Sequence, residues 1–368
     1  METLVKFNSP HRKFNSDFDL QSKIVEFVKN GPYLNGDQIK LFEKNFAEFI
    51  GSRFCYGVSS GTSALELAIL ALNLNKNSEI LMTANAGAYG SVASVKAGMR
   101  PKYFEIDENG LPSFSSFQDA LTHNSKAVIL THLYGQAVDI QPFLSICKDQ
   151  GVFIIEDCAH SIGASYPNSS KITGTQGTVG VFSFYPTKNV SSIGDSGAIV
   201  TSDESISNII EALRQYGWTE KYFSSIPGGS NFRMDDLHAL IINHKIKSIA
   251  TDNSKRLSIW AEYKKSANKI GVKLLGNGDK SNSAHLAVLK LGRRDNMREY
   301  LEVNGVETAV HYPYPDYLQP SFSSFKSKHL VHTENHCESI LSLPLYAEMT
   351  VEEINLVSSA IQNYTDQE

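Results

Sequence analysis

Two stretches near the start of the chain carry apolar side chains at helical spacing. The first runs from Phe18 to Val28, and Asn30-Gly31-Pro32 ends it because this sequence cannot continue a regular helix. The second begins after Gly36 and keeps an apolar stripe from Ile39 to Ile50. The pattern predicts two amphipathic packing helices, preceded by an extended, irregular segment at residues 1–15.

Beyond residue 50, short apolar runs of strand length alternate with patterns of helical spacing. The predicted strands are Cys55–Val58, Glu79–Met82, Lys102–Ile106, Ala127–Leu130, Val152–Asp157, Val179–Phe182 and Ala198–Thr201. The predicted helices are Ala64–Leu72, Ala88–Ala97, Ile140–Gln150, Glu204–Tyr216 and Asp235–Ile249, with a polar loop at Tyr222–Gly229. Alternation at this pace is typical of βαβ units, so we expect an α/β protein with a mostly parallel sheet.

The C-terminal third shows shorter elements, which indicate a smaller α+β domain. They are predicted strands at Val272–Leu275, His285–Leu291 and Thr308–Val310, and predicted helices at Arg294–Asn304 and Val351–Gln362. We therefore expect a large domain with the N-terminal segment at residues 1–248 and a small C-terminal domain at residues 249–368.

Composition narrows the range of functions. The chain has 368 residues, a formal net charge of −5 and four cysteines. Because there is no cluster of Lys and Arg, we expect no nucleic-acid partner. The cysteines are widely spaced and form no metal-binding pattern, which favours reduced thiols in a cytoplasmic protein without a metal site. No apolar stretch suits a signal peptide or a membrane span.

A lysine and an acid follow two of the predicted strands. Lys188 lies on a loop, since Pro186 and the glycine and serine residues after it forbid a regular continuation. Asp157 ends an apolar run that is typical of a strand covered on both faces. Ligands of open α/β sheets collect at the carboxyl ends of strands, so the two side chains can meet in one crevice. A lysine for a Schiff base and an acid for a pyridinium nitrogen are what pyridoxal phosphate requires, although most loop lysines are only solvated charges.

The turn Ser59-Ser60-Gly61-Thr62 joins the first predicted strand to an apolar helix. Ser63 and Glu66 have the spacing of a capping box at the start of that helix. Gly61 lets a ligand approach the backbone, and the amides of Gly61 and Thr62 lie at the positive end of the helix, where phosphate binds. A tight turn without a ligand explains the motif equally well.

Six motifs in order along the chain resemble the DegT/DnrJ/EryC1/StrS sugar aminotransferase family, within the fold type I enzymes that use pyridoxal phosphate. The motifs are Ser59–Leu65, Glu156–Ala164, Ser183–Asn189, Gly229–Met234, His311–Pro313 and Leu341–Tyr346. The resemblance extends from about Gly31 to residue 362. It implies the fold type I architecture, with a mostly parallel seven-stranded sheet in the large domain.

The resemblance also implies roles at the cofactor. Lys188 would carry pyridoxal phosphate as a Schiff base and then serve as general base and acid, while Asp157 would pair with the protonated ring nitrogen. Asn231 would reach the phosphate bound by the other subunit, so we expect a homodimer with shared active sites. The other expected cofactor-binding residues are Gly61, Thr62 and Ser183 at the phosphate, His160 near the phenolic oxygen, and Tyr89 at the ring.

Two departures from the family pattern concern the ligands. The family usually has an aromatic residue where Gly87 stands here, so Tyr89 is our candidate for stacking on the ring; a core or surface role for this tyrosine is equally open. Tyr317 stands where many family members have a histidine, in a loop that we expect to line the sugar site.

By the same resemblance, the amino donor is L-glutamate and the acceptor is a keto-sugar nucleotide. The segment Leu213–Trp218 is most similar to the branch that aminates 3-keto deoxysugar nucleotides, linked to dTDP or UDP. Such enzymes supply amino sugars for surface polysaccharide, lipopolysaccharide O-antigen or secondary metabolites. The expected substrate-binding residues are Tyr185, Tyr216, Arg233, His311 and Tyr312.

Other functions stay open from the sequence. A 4-keto sugar could be the acceptor, or the chain could be a binding or regulatory protein with this fold and no turnover. An ordinary nucleotide-binding enzyme is less suitable, because no Gly-x-Gly-x-x-Gly and no P-loop follow the first strand. A related branch that dehydrates its substrate has histidine in place of the lysine, and Lys188 argues against it.

Overall fold

The computed structural model describes residues 5–15, 17–325 and 329–365. The α-helices are α1 (Arg12–Asn15), α2 (Phe18–Asn30), α3 (Asp37–Ile50), α4 (Gly61–Ala71), α5 (Tyr89–Lys96), α6 (Phe114–Ala120), α7 (Gln141–Gln150), α8 (Glu204–Leu213), α9 (Asp236–Lys245), α10 (Ile249–Lys269), α11 (Arg294–Val303), α12 (Val331–Ser339) and α13 (Val351–Asn363). The strands are β1 (Phe54–Val58), β2 (Glu79–Thr83), β3 (Arg100–Phe104), β4 (Ser125–Thr131), β5 (Phe153–Asp157), β6 (Val179–Ser183), β7 (Gly197–Thr201), β8 (Trp218–Glu220), β9 (Phe223–Ser224), β10 (Lys273–Leu274), β11 (Ala287–Lys290) and β12 (Ile340–Leu343).

In the described part of the chain, seven strands form one sheet in the order β1-β7-β6-β5-β4-β2-β3. Strand β7 runs antiparallel to β1 and β6, and the other neighbouring pairs are parallel. The expected α/β fold with a mostly parallel seven-stranded sheet is therefore confirmed. The register places Thr131 of β4 opposite Asp157 of β5, so the carboxyl ends of these strands meet at one edge of the sheet.

The sheet is covered on both faces. Every residue of β6 and β7 is buried. Val181 and Ile199 pack into the core beneath α4, whereas Phe182 and Val200 pack on the opposite face with Phe46 of α3. Alternate residues thus serve two cores, which explains why these strands are apolar at every position rather than at every second one.

The smaller C-terminal unit packs a three-stranded antiparallel sheet, β10-β11-β12, with helices α10, α11 and α13. The predicted strand at Thr308–Val310 is reduced to a single bridge between Ala309 and Ser342. The predicted helix Asp235–Ile249 is divided into α9, a 3-10 turn at Ile246–Ser248, and the start of α10. The predicted loop Tyr222–Gly229 begins as the second strand of the β8–β9 hairpin.

The N-terminal segment is more ordered than the sequence suggests. Within residues 1–15, which we predicted to be irregular, Arg12–Asn15 form α1. Val5 pairs with Val306 and lies in the core of the C-terminal unit. The division of the chain at residue 248 stays a prediction. Among the described residues, no helix is both long enough and apolar enough to cross a membrane.

Candidate active site

A cavity of about 490 Å³ lies at the carboxyl ends of β4, β5 and β6 and is closed by segments of the C-terminal unit. It brings together most of the side chains predicted for the site. The predicted residues that line it are Gly61, Thr62, Tyr89, Asp157, His160, Ser183, Tyr185, Lys188, His311 and Tyr312. Parallel strands that end at one edge of the sheet gather residues that are distant in the sequence, and helix α4 adds its N-terminus.

Lys188 lies on the loop that follows β6. Its backbone amide donates to the carbonyl of Tyr185 at 2.8 Å, which turns the chain directly after the strand. Burial lowers the pKa of the Lys188 amine to about 8, and the charge of Asp157 opposes this shift. A lysine with a pKa near neutrality is partly unprotonated and can act as a nucleophile or as a base.

Asp157 ends β5 and is buried. Its carboxylate accepts the backbone amide of Ala159 at 3.1 Å and, through the other oxygen, the hydroxyl of Thr131 at 3.5 Å. Burial raises the pKa of Asp157, although the Ala159 hydrogen bond and the charge of Lys188 act in the opposite direction. Burial thus disfavours the charged form of the carboxylate, and a cationic N–H group in the cavity would stabilise it.

Glu156, the preceding residue, points to the opposite face of the sheet and holds a separate network. Its carboxylate accepts from the hydroxyl of Tyr166 at 2.6 Å, from His132 Nε2 at 3.0 Å and from the amides of Gly174, Gln176 and Gly177. These donors and the His132 ring hold the pKa of Glu156 below its ordinary value against the effect of burial. The network fixes the strand that carries Asp157.

His132, Glu156 and Cys158 lie close enough together to suggest metal ligands. However, His132 Nδ1 accepts the amide of Val138 at 2.9 Å, and Nε2 pairs with Glu156. Both imidazole nitrogens are thus engaged in hydrogen bonds. We interpret this group as structural support for β5.

The turn before α4 provides an anion cradle. The hydroxyl of Ser60 caps the helix by accepting the amide of Ser63 at 3.0 Å, so the predicted capping box between Ser63 and Glu66 is wrong. Glu66 instead forms an ion pair with Lys96 on α5 at 2.6 Å. The first amides of a helix have no partner within it, and those of Gly61 and Thr62 border the cavity.

Gly61 shows why this cradle suits a phosphate. A Cβ at position 61 would lie 2.8 Å from Ser183 Cβ and 3.3 Å from its hydroxyl. The backbone of the turn therefore approaches Ser183 more closely than any side chain would allow. The amides at the N-terminus of α4 and the hydroxyl of Ser183 are suitable ligands for a phosphate group. Lys188 and the buried carboxylate of Asp157 supply the other two groups that pyridoxal phosphate requires.

The histidines around Lys188 are held neutral in defined tautomers. His160 Nδ1 accepts the amide of Tyr134 at 3.3 Å, which leaves Nε2 as the protonated nitrogen. Asn189 donates its amide to Ser283 O at 2.8 Å, so its carbonyl accepts from His285 Nδ1 at 3.0 Å. Burial lowers the pKa of both histidines well below the ordinary value. The His160 and His285 ring centroids lie 4.3 Å apart.

An aromatic residue is not accommodated at position 87. Gly87 has φ +73°, and a Cβ there would lie 2.9 Å from the rings of both Tyr89 and Tyr312. These two rings meet edge to face with centroids 6.1 Å apart and both line the cavity. Asp316 fixes the segment that carries Tyr312, because it accepts the amide of Ala88 at 3.0 Å. Ring stacking by Tyr89 stays a prediction.

Three predicted residues lie elsewhere in the described chain. Asn231 is exposed, and its backbone pairs with Gln215 beside the β8–β9 hairpin. Arg233 lies over the ring of Tyr216 at 5.6 Å and borders a second cavity of about 730 Å³. The buried Nε of Arg233 has no hydrogen-bond partner among the described residues. Asn231, Tyr216 and Arg233 form a separate surface with Trp218, and none of these four residues lines the cavity of Lys188.

The sequence analysis missed several residues that line the cavity. They are Phe7, Asn8, Ser60, Leu65, Ala86, Thr131, Leu133, Ala159, Thr187, Asp195, His285 and Leu286. Thr131 could have been found, because it directly follows the predicted strand Ala127–Leu130, the strand before the one that carries Asp157. Phe7 and His285 come from segments that only the tertiary fold brings to the site, and no local pattern marks them.

The chain is similar to known proteins over nearly its whole length. The profile of the DegT/DnrJ/EryC1/StrS aminotransferase family matches residues 16–362. The chain is 31% identical over 348 residues to dTDP-3-amino-3,6-dideoxy-alpha-D-galactopyranose transaminase of Aneurinibacillus thermoaerophilus. This alignment covers 94% of this chain and 95% of that protein. It is 29% identical over 349 residues to UDP-2-acetamido-2-deoxy-3-oxo-D-glucuronate aminotransferase of Pseudomonas aeruginosa. That alignment covers 94% of this chain and 95% of the relative.

Solved structures are similar over the same length. DesV of S. venezuelae, crystallised in complex with a ketimine intermediate, superposes with a TM-score of 0.94 at 27% identity and covers 100% of both chains. NtdA of Bacillus subtilis, with bound cofactor PMP, superposes with a TM-score of 0.90 at 28% identity and covers 98% of this chain and 85% of that chain.

Proposed function

The chain belongs to the DegT/DnrJ/EryC1/StrS aminotransferase family, and from that premise we propose that it transfers the amino group of L-glutamate to the keto group of a sugar nucleotide. As a member of this family the protein is an aminotransferase that depends on pyridoxal phosphate. The observation that carries the proposal is one cavity in which Lys188, Asp157 and the Gly61 turn face each other.

The cofactor site follows from the donors and acceptors in the cavity. The amides of Gly61 and Thr62 and the hydroxyl of Ser183 would bind the phosphate, Asp157 would pair with the ring nitrogen, and Lys188 would form the covalent link. When bound, pyridoxal phosphate supplies the conjugated ring that delocalises the charge left at Cα of the amino donor.

Lys188 moves the proton. With the cofactor bound, the amine of Lys188 would serve as the base that takes the Cα proton of the amino donor and as the acid that returns a proton. The pKa of about 8 suits both directions, because the amine is neither fully protonated nor a weak base near neutral pH.

Asp157 and His160 set the charge distribution around that step. The buried carboxylate of Asp157 would stabilise positive charge at the ring nitrogen of the bound cofactor, which would strengthen the ring as an electron acceptor. The neutral His160 presents Nε2–H as a donor, because its Nδ1 is engaged by the Tyr134 amide. We assign this N–H to the phenolic oxygen of the cofactor.

For the acceptor, we favour a 3-keto deoxysugar linked to dTDP or UDP. Relatives at 31%, 28% and 29% identity carry names of dTDP-3-amino sugar transaminases and of a UDP-3-oxo sugar aminotransferase. Tyr185, His311 and Tyr312 border the cofactor cavity and are suitable contacts for the sugar, with Tyr185 48% exposed at the rim. The product would be an amino sugar for surface polysaccharide, lipopolysaccharide O-antigen or a secondary metabolite.

Asn231 is exposed and does not line the cavity of its own chain, which supports a homodimer with shared sites. Asn231 stands on the surface with Tyr216 and Arg233, whose guanidinium forms no ion pair with the described residues. In a two-fold dimer the same contact occurs twice, so each copy can present these groups to the other's phosphate and sugar.

Subunit exchange tests this arrangement. We expect the Lys188→Ala homodimer to be inactive and the Asn231→Ala homodimer to be weakly active. Their mixture should regain activity after exchange, because one site of each mixed dimer is then intact. The exchange is verified with two affinity tags. If Asn231 serves its own chain, every mixed site retains one defect, and no activity returns.

The function itself is tested with a panel of 3-keto and 4-keto dTDP- and UDP-sugars in a coupled assay with L-glutamate. We expect the yellow, cofactor-loaded protein to be bleached by L-glutamate and to regain colour with a 3-keto sugar nucleotide. Preference for a 4-keto sugar would overturn the proposed acceptor. A colour that L-glutamate leaves unchanged would indicate another donor or a protein without turnover.

A further inference from the structure

The N-terminal segment crosses from the C-terminal unit to the loop of Lys188. Val5 pairs with Val306, and the ring of Phe7 stacks on His311 with centroids 5.5 Å apart. Arg12 then forms a two-pronged ion pair with Glu353 of α13, with both N–O distances at 2.7 Å. The segment is therefore fixed on the C-terminal unit immediately before it reaches residue 13.

Lys13 contacts the backbone of the proposed catalytic lysine directly. Its amine donates to the carbonyl oxygen of Lys188 at 2.5 Å and to the hydroxyl of Ser191 at 3.2 Å. Both acceptors are neutral oxygens of one loop. Burial lowers the pKa of this amine to about 7, and the neighbouring charge of Arg256 acts in the same direction. A lysine that serves only as a terminal anchor would gain more from an exposed carboxylate than from a buried carbonyl.

The backbone of Lys13 is itself held in place by Lys245 and Asp17. Its carbonyl accepts the amine of Lys245 at 2.5 Å, and Lys245 is paired with Asp17 at 2.9 Å. Asp17 caps α2 by accepting the amide of Leu20 at 3.1 Å. The amine of Lys13 is thus presented from a backbone that two helices, α2 and α9, fix.

The contact completes the restraint of residue 188. The amide of Lys188 already donates to Tyr185 O at 2.8 Å, and the side chain of Asn189 is bound to Asn253 and to Ser283 O at 2.8 Å each. With the carbonyl of Lys188 held by Lys13, both polar groups of its peptide backbone are engaged. Only the side chain remains free to move.

We propose that Lys13 is a positioning residue for Lys188. It holds the carbonyl of the catalytic lysine and thereby fixes the Cα of Lys188, while the side-chain amine of Lys188 stays free to move. The inference rests on the proposed function, because Lys13 acts only through Lys188. A displacement of about 1 Å in a reacting group costs up to about 100-fold in rate, so a loosened loop has a measurable effect.

Lys13→Met, Lys13→Arg and Arg12→Met are the variants that test it. Lys13→Met removes the donor and keeps the length of the side chain, and Lys13→Arg keeps a charged donor. Arg12→Met removes only the ion pair with Glu353, while Lys245 and Asp17 still hold the backbone of Lys13. For each variant, kcat, KM and the thermal midpoint are measured. The pH midpoint of the absorption change of the cofactor-loaded protein is also measured, because it reports protonation at the Lys188 link without turnover.

We expect Lys13→Met to lower kcat about tenfold, with KM changed less than about twofold. It should also shift the pH midpoint, because the pKa of the Lys188 amine depends on its burial and on its position relative to Asp157. Lys13→Arg should restore most of kcat. Arg12→Met should lower the thermal midpoint and leave kcat and the pH midpoint near those of the unmodified protein.

Two results would overturn the inference: a folded Lys13→Met protein with unchanged kcat and pH midpoint, or an Arg12→Met protein with the same losses as Lys13→Met. If Lys13→Met does not fold, Lys13→Gln, which keeps a shorter N–H donor, must show the same direction of change. The spectral measurement needs only bound cofactor, so it separates failure of this inference from failure of the proposed reaction.

Discussion

Asp157→Asn should make the cofactor-free protein more stable and at the same time remove most of its turnover. Burial raises the pKa of Asp157, so the folded protein disfavours the charged carboxylate. A group whose folded pKa is raised in this way destabilises the folded state at every pH above that pKa, and the penalty vanishes below the ordinary value of about 3.9. A neutral side chain of the same shape relieves the penalty at neutral pH.

The loss of turnover follows from the orientation of the new amide. Its oxygen must accept from the Ala159 amide, as one carboxylate oxygen does now at 3.1 Å. Its NH₂ then replaces the oxygen that accepts from Thr131, so one of the two acceptors available to a protonated ring nitrogen becomes a donor. Removal of one electrostatic partner of a developing charge typically costs a factor of about 10²–10³, or about 2.7–4 kcal/mol. An ion pair at 4 Å near a protein surface, worth about 4 kcal/mol, gives the same upper limit.

The assay compares thermal unfolding of the cofactor-free proteins between acid and neutral pH with kcat at saturating L-glutamate and sugar nucleotide. We expect a higher thermal midpoint for Asp157→Asn at neutral pH, a difference that disappears in acid, and a kcat lower by about 10²–10³. Thr131→Val is the matched control, because it removes only the 3.5 Å contact to the same carboxylate and should change kcat less than about threefold. Nearly normal turnover in Asp157→Asn, or a lower thermal midpoint, would refute the reasoning.

Lys188→Ala should still bind pyridoxal phosphate, measured by fluorescence quenching, and should have no measurable transamination; substantial turnover by the pure variant would contradict the assignment. Gly61→Ala should weaken cofactor binding at least about tenfold, because the new Cβ would lie 2.8 Å from Ser183 Cβ, and an unchanged dissociation constant would count against the phosphate site. Glu156→Gln should destabilise the fold by about 3 kcal/mol in urea unfolding, since an NH₂ would face donors such as His132. Because the folded pKa of Glu156 is lowered, its stabilisation exists above the ordinary value of about 4.3 and is lost as the pH falls through the folded value, so the difference should shrink in acid.

Much of the architecture was readable from local patterns. The apolar runs ending at Asp157 and before Lys188 predicted β5 and β6 because a strand buried on both faces leaves few polar positions. Glycines at Gly36 and Gly51 delimited α3. The order of these elements predicted a mostly parallel sheet, and the carboxyl-end rule then placed the two candidate side chains together.

Other local predictions failed because neighbours in space changed the outcome. Ser63 and Glu66 have capping-box spacing, but Ser60 caps α4 and Glu66 pairs with Lys96. The spacing alone does not reveal which serine stands at the helix start or which base lies across from the acid.

The sequence by itself determined which residues can carry the chemistry: a lysine and an acid after buried strands, and a glycine turn before an apolar helix. Only the tertiary structure decided how these groups are supported. Gly87 lacks a side chain because the rings of Tyr89 and Tyr312, 223 positions apart in the sequence, occupy that space. Lys13 likewise contacts the carbonyl of Lys188 only because the fold brings the N-terminal segment to that loop. Contacts across such separations depend on how whole elements pack, and no periodicity within a single segment encodes them.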